Sequence, residues 1–220
     1  MVFTHSDEYP VQKIEAVTTD SGRLYKVPGG KEYESITTAL GKRPGKKEAL
    51  AEWRRRVGWD EANRISRKAS SRGTAVHTII EHYLDNIDLD ECVKGKMPDA
   101  VIMFKSLQNI LDRSIEKIYM QEAPLWTHEY KLAGRVDCVA DVLKKLSIVD
   151  FKTSMKPKKR EWVEDYFLQG AAYSYMFEEM YDKRIEQVVL FVAVEDRDPQ
   201  IFIDDPYKYK DHNFFTERLE

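Results

Sequence analysis

Two stretches decide how this chain folds: Leu132-Ala-Gly-Arg-Val-Asp-Cys-Val-Ala-Asp141 and, a short gap later, Ile148-Val-Asp-Phe-Lys-Thr153. Both mix β-branched and small apolar residues with spaced charges, the pattern of strands rather than helices. Residues two apart on a strand share a face, so Asp150 and Lys152 project together while Phe151 points away. A hairpin centred on Leu143-Lys144 sets Asp137 directly opposite Asp150, although Leu-Lys-Lys-Leu holds none of the usual turn residues. Carboxylates facing one another repel. A divalent cation between them removes that repulsion, and oxygen donors suit Mg²⁺ or Mn²⁺. A lysine beside such a cation can orient a water or help to deprotonate it. Taken alone, the same spacing also fits solvent-face charges on an amphipathic hairpin, with Lys152 paired to an acid.

Outward from this pair, Pro124–Tyr130 reads as a third strand and Glu161–Tyr181 as a helix. Gln187–Val194, with the run Val-Val-Leu-Phe-Val-Ala-Val, reads as a buried strand, and Gln200–Ile203 as one more. Upstream, Lys47–Arg56 is an expected helix. A second runs from Asp60 to Leu84, with Val76, Ile79, Ile80, Tyr83 and Leu84 on its apolar face and Ser70-Ser71 and Gly73 as points of interruption. Pro98–Tyr119 is a third, with Val101, Phe104, Leu107, Leu111, Ile115 and Ile118 in register. Turns at Pro28-Gly29-Gly30 and Pro44-Gly45 mark residues 1–45 as short strands or loops. The order implies an α/β fold, a central mixed sheet flanked by helices with a helical N-terminal part. One domain over 1–220 is expected, with 1–120 mainly helical and 121–220 carrying the sheet of the hairpin and its flanking helices.

Two further features accompany the hairpin. His77 follows Gly73 by one helical turn, and Gln169 and Tyr173 stand at i and i+4 on the later helix, sharing a face. A single helical histidine, or a Gln and Tyr a turn apart, is ordinary structure. Their order along the chain is what distinguishes them: G-x-x-x-H, then G-R-x-D, then D-x-K followed by Thr153, then Q-x-x-x-Y.

In that order the motifs resemble the RecB-like branch of the PD-(D/E)XK nucleases, in particular its mitochondrial genome-maintenance and phage-encoded exonucleases. The resemblance spans Ser35 to Val194 and is densest from Leu132 to Tyr173. Val136 stands where the family's name has proline, and the cysteines of its iron–sulfur members are missing. The resemblance implies a restriction-endonuclease-like core and one or two Mg²⁺ or Mn²⁺ ions held by His77, Asp137, Asp150 and the backbone carbonyl of Phe151. It further implies that Lys152 positions the attacking water or stabilises developing charge, and that Gln169 and Tyr173 hold the lysine or the scissile phosphate in line. Glu129, which precedes the Gly134 motif, either reaches the site or is a strand-face charge. The implied activity is digestion of DNA from single-stranded or flapped ends, alongside replication or recombination proteins. A structure-specific endonuclease with the same metal site and a non-catalytic nucleic-acid-binding module are the alternatives. A phage-encoded origin, with action in a bacterial host's cytoplasm, goes with that resemblance.

Composition sets the outer limits. The chain has 220 residues, 33% charged and 42% hydrophobic, with a net charge of −3, a globular balance that excludes a uniformly basic nucleic-acid coat. No apolar run approaches the roughly 18 residues of a membrane helix, and Met1–Lys13 lacks the apolar core of a signal peptide. The two cysteines, Cys92 and Cys138, are too few for a disulfide framework, and a reduced, cytoplasmic setting is expected. Charge is unevenly spread. Between Trp53 and Arg72 lie Arg54, Arg55, Arg56, Arg64, Arg67, Lys68 and Arg72 against Asp60 and Glu61 alone, while Lys152 to Arg160 holds five bases and no acid. Arg54, Arg55, Arg64, Arg72, Lys156 and Lys158 are therefore candidate contacts to DNA phosphates. Trp53 and Trp59 could add stacking surface for single strands or belong to the core.

Overall fold

The computed structural model describes residues 2–219. In chain order its elements are β1 (Thr4–His5), β2 (Glu15–Thr19), β3 (Gly22–Lys26), β4 (Glu32–Ser35), α1 (Ile36–Gly41), α2 (Lys46–Val57), α3 (Trp59–Leu84), α4 (Leu89–Val93) and α5 (Pro98–Ser114). There follow β5 (Ile115–Thr127), β6 (Leu132–Val142), β7 (Lys145–Ser154), α6 (Glu164–Tyr181), β8 (Gln187–Val194), β9 (Gln200–Asp204) and α7 (Asn213–Thr216). Short 3₁₀ turns at Arg160–Val163 and Pro206–Tyr209 lead into α6 and follow β9.

All nine strands belong to one mixed sheet. β6 is its axis. Along one edge it pairs antiparallel with β5 over nearly its whole length. Along the other it is shared: its C-terminal half pairs antiparallel with β7, and its start, Leu132 and Ala133, pairs parallel with β4. β7 and β8 run parallel, joined through α6, and β9 closes that side antiparallel to β8. The sheet is mixed and helix-flanked, as the sequence implied, but it also draws in β1 to β4 from the N-terminal part.

Both faces of the sheet are covered. Phe167, Leu168, Ala171 and Phe177 of α6 pack on Val139, Ile148, Val188 and Leu190. Val76, Ile79, Ile80, Phe104, Leu107 and Leu111 of α3 and α5 pack on Cys138, Val149, Val189 and Phe191. Each fully buried aliphatic or aromatic side chain here contributes about 1.5–3 kcal/mol, which explains why β8, buried at every residue, reads as a continuous apolar run.

The hairpin register is the expected one. The Val142–Lys145 pair closes it, and the ladder runs back to Cys138 opposite Val149. Leu143 and Lys144 adopt φ of 51° and 65°, the positive values a tight two-residue turn demands without the residues that favour them. Leu143 N–H donates to the Ser114 carbonyl at 3.0 Å, tying the turn to the end of α5.

Two boundaries differ from expectation. α5 ends at Ser114, not Tyr119, because Ile115–Thr127 pairs with β6 and the short β1 joins its far side. Ile115 and Ile118 are buried, which suits a helix face and a strand equally, so periodicity alone extends the helix into the start of the strand. α3 runs through Ser70, Ser71 and Gly73 without a break. No helix among the described residues is long and apolar enough to cross a membrane.

Candidate active site

The site forms where β6 separates from β7. Their ladder stops at Cys138 and Val149, and the pairing with β4 resumes only at Ala133, so Gly134 to Asp137 face an open fork. The Asp137 carboxylate fills the missing rung: Phe151 N–H donates to its Oδ2 at 2.9 Å. Asp150, across the fork, is 2% exposed. The Lys152 ammonium lies 2.5 Å from both Asp150 oxygens, hydrogen-bonding Oδ1 and ion-paired with Oδ2. Burial pushes the Asp150 carboxyl up from its ordinary value, with Lys152 opposing and Asp137 adding to the shift. Burial works against the charge on Lys152, yet the Asp150 and Asp137 carboxylates hold its ammonium above the usual lysine value.

His77 enters from α3. Its Nε2–H donates to the Phe151 carbonyl at 2.7 Å, and Nδ1 lies 3.6 Å from Asp137 Oδ2. Two groups expected as separate metal ligands, His77 and the Phe151 carbonyl, thus hydrogen-bond each other here. A side chain at Gly73 would touch only Thr153 Oγ1, at an ordinary 3.8 Å, so that glycine is not demanded by packing; it lines the cleft.

Glu122 of β5, which no sequence motif marks, completes the cluster. The flanking rungs Gln121–Cys138 and Ala123–Val136 set it beside Asp137, and it adopts a left-handed φ of 46°. His77, Glu122 and Asp137 each offer a donor atom within 4.8 Å of the others. Burial, then the neighbouring Asp137, raises the Glu122 carboxyl. Arg135 Nε donates to the Glu122 carbonyl at 2.8 Å and lies 3.5 Å from its Oε2. These residues, with Thr74, Thr78 and Glu81, line an open cleft of ≈ 420 Å³. Glu129 is not among them; it sits in the turn after β5, beside Glu179 and Tyr130.

Gln169 and Tyr173 approach from α6. Tyr173 is 3% exposed, its hydroxyl donates to the Arg135 carbonyl at 2.8 Å, and Gln169 Nε2 reaches that hydroxyl at 3.5 Å. The glycine of G-R-x-D follows from this contact. A Cβ at Gly134 would come 2.7 Å from Tyr173 Cε1 and 2.9 Å from Ile36 Cγ2, so only glycine lets the ring lie against the strand.

The six basic candidates divide. Arg54, Arg55, Arg64, Lys156 and Lys158 are exposed or half-buried. Arg54 stacks over Trp59 at 5.4 Å, and Arg64 is engaged with Glu61 at 2.6 Å on its own helix. Arg72 does not fit the expectation: it is 2% exposed and pairs with Glu195 at 3.0 Å, because its turn of α3 already faces the sheet. Trp59 is 61% exposed and Trp53 half-buried, so neither belongs to the core.

His77, Glu122 and Asp137, an imidazole and two carboxylates within reach of one another, suit a hard divalent cation, with the buried Asp150 carboxylate across the fork. The chain is 31% identical over 134 residues to mitochondrial genome maintenance exonuclease 1 of Xenopus tropicalis, a match covering 59% of this chain and 37% of that protein's length. A crystal structure of a candidate exonuclease from Eubacterium rectale aligns over 67% of this chain and 62% of its own, at 15% identity and a TM-score of 0.42. Residues 49–219, which contain the fork, His77, Glu122 and the α6 pair, match the family model of the PD-(D/E)XK nuclease superfamily, and the chain belongs to that superfamily.

Proposed function

We propose that the chain is a divalent-metal-dependent deoxyribonuclease that removes nucleotides from ends of single-stranded or flapped DNA. The observation that carries this reading is the convergence, on one fork, of Asp137, Asp150, His77 and Glu122 with Lys152 against Asp150. Asp137, Asp150, His77 and Glu122 would hold Mg²⁺ or Mn²⁺, with the Phe151 carbonyl within reach. Such an ion lowers the pKa of a water and offsets the negative charge that builds on a phosphate under attack.

The chain's own groups supply the rest. Lys152, charged and enclosed between Asp150 and the Tyr166 ring 5.2 Å away, can donate to the incoming water or to a phosphate oxygen. Arg135, fixed by the Glu122 carbonyl, puts a second cation at the mouth of the cleft. Tyr173 and Gln169 act at one remove: by holding the Arg135 carbonyl they fix the strand carrying Asp137, a positioning role. The basic surface of α2 and early α3, with Trp59 open to solvent, would carry the strand toward the fork through phosphate contacts and stacking.

Digestion of 5′-labelled and 3′-labelled single strands beside a circular single strand, in Mg²⁺, Mn²⁺ or EDTA, tests this. Metal-dependent loss of the linear strands with circles intact is expected, and the label released first gives the polarity. Cut circles would replace the exonuclease with an endonuclease on the same site. No cleavage in either metal would overturn the proposal.

A further inference from the structure

Trp162 stands apart from the other aromatic residues of the C-terminal half. It lies in the 3₁₀ turn ahead of α6, anchored by the fully buried Val163 beside it, yet is itself 58% exposed. The ring lines a groove of ≈ 440 Å³ between α3, at Ala69 and Arg72, and the end of β7 with the segment after it, at Thr153, Lys156 and Lys158. That groove begins at Thr153, the residue next to Lys152. Along α3, Ala69 precedes the cleft residue Gly73 by four residues, about 6 Å at the usual helical rise, and Arg72 adjoins it, so groove and cleft follow one another directly.

The segment is held still and positively charged. Ser154 Oγ donates to the Lys156 carbonyl at 2.6 Å, and Gln200 clamps Lys158 from both sides, accepting from its N–H at 2.6 Å and donating to its carbonyl at 3.0 Å. Lys156 and Lys158 form no ion pair among the described residues, and Lys159, 5.3 Å from the Trp162 ring, is only 4.0 Å from Glu161 at its nearest. A rigid loop with free ammonium groups around an open indole matches a nucleic-acid strand: cations for phosphates, a ring for a base. Nothing in the fork or in the packing of the sheet requires an exposed indole here.

We propose that Trp162 is a stacking platform for a base of single-stranded DNA next to the scissile phosphate, with Lys156 and Lys158 holding the adjoining phosphates. This deepens the nuclease reading and rests on it for the position of the scissile bond. The platform lies on the Lys152 side of the fork, opposite the Glu122 and Arg135 side, so the bound strand runs along α3 past both.

The test uses single-stranded DNA carrying 2-aminopurine at successive positions from one end, whose fluorescence falls when the base stacks on an aromatic ring. In EDTA the wild-type chain should change the emission strongly at one position, Trp162→Ala should remove that change, and Trp162→Phe should keep most of it. With Mg²⁺ on unlabelled strands, Trp162→Ala should raise KM about tenfold, within the range for one base stack, and leave kcat within about threefold. Wild-type emission and KM in Trp162→Ala, in a chain that still digests DNA, would overturn the platform while the nuclease reading stands. A wild-type chain that shows the position-specific stacking but digests nothing would overturn the nuclease reading and leave the platform in place.

Discussion

The fork and the arm made of α2 with the first half of α3 are both rich in charge, and they are built in opposite ways. At the fork the charges are enclosed: Asp150 is 2% exposed, and Asp137, Glu122, His77 and Lys152 neutralise or hydrogen-bond one another and the backbone. In the arm, α2 buries no residue and α3 buries only Ala62 before Arg72, while the arginines ahead of Arg72 reach water. Desolvated charge is expensive unless partnered, so the fork is maintained against folding stability; hydrated charge is nearly neutral to stability. Enclosed, closely paired charge suits a metal and a reacting phosphate. Hydrated charge suits the sequence-independent holding of a strand.

Substitutions should break the molecule differently in the two regions. The largest effect is expected from Asp150→Ala, which removes the buried carboxylate: metal-dependent DNA cleavage should fall about 10³-fold or more, read by single-turnover digestion, while circular dichroism still reports a folded chain. In the arm, Arg54→Ala with Arg55→Ala should weaken binding of single-stranded DNA about tenfold at low salt. The slope of log affinity against log salt should drop by roughly 0.7 for each phosphate that is no longer neutralised, with kcat at saturation unchanged. Equal salt slopes in the double variant and wild type would remove the arm from the binding surface.

Stability separates the regions again. Gly134→Ala drives a Cβ into Tyr173 and Ile36 and should destabilise the chain by about 1–3 kcal/mol, a fall of several degrees in Tm. Within α3 alone, Arg72→Ala, which removes a buried guanidinium from Glu195, should lower Tm more than Arg64→Ala. The latter breaks only an exposed pair with Glu61 and should change stability by less than about 0.5 kcal/mol. If Arg64→Ala were the more damaging of the two, the division of α3 into a hydrated and an enclosed half would fail.

The parts of this arrangement that follow simple periodicity were legible in the sequence. Strand alternation set the hairpin register, and with it Asp137 against Asp150, even though Leu143 and Lys144 are poor turn residues; burial of alternate residues on both faces outweighed turn chemistry. Glu122 was not legible. Its strand begins inside a segment whose isoleucines keep helical spacing, and two register shifts near Lys117 and Met120 together with its own left-handed φ defeat any alternation count. The weak signal available was an acid just ahead of the strand expected at Pro124–Tyr130. Arg72 was misjudged because a charge in a basic run carries no mark of which helical turn meets the sheet. Its position one residue before Gly73 and four before the buried Val76 was the usable clue.

Lys152→Ala tests the central claim most directly, with Mn²⁺ binding measured by calorimetry and single-stranded DNA digestion measured on the same protein. Lys152 contributes no metal donor to the fork but holds its charge against Asp150. The account predicts that digestion is lost while Mn²⁺ still binds, and that Asp150→Ala loses both. Digestion at near wild-type rate by folded Lys152→Ala would contradict the assignment of the fork as the catalytic site.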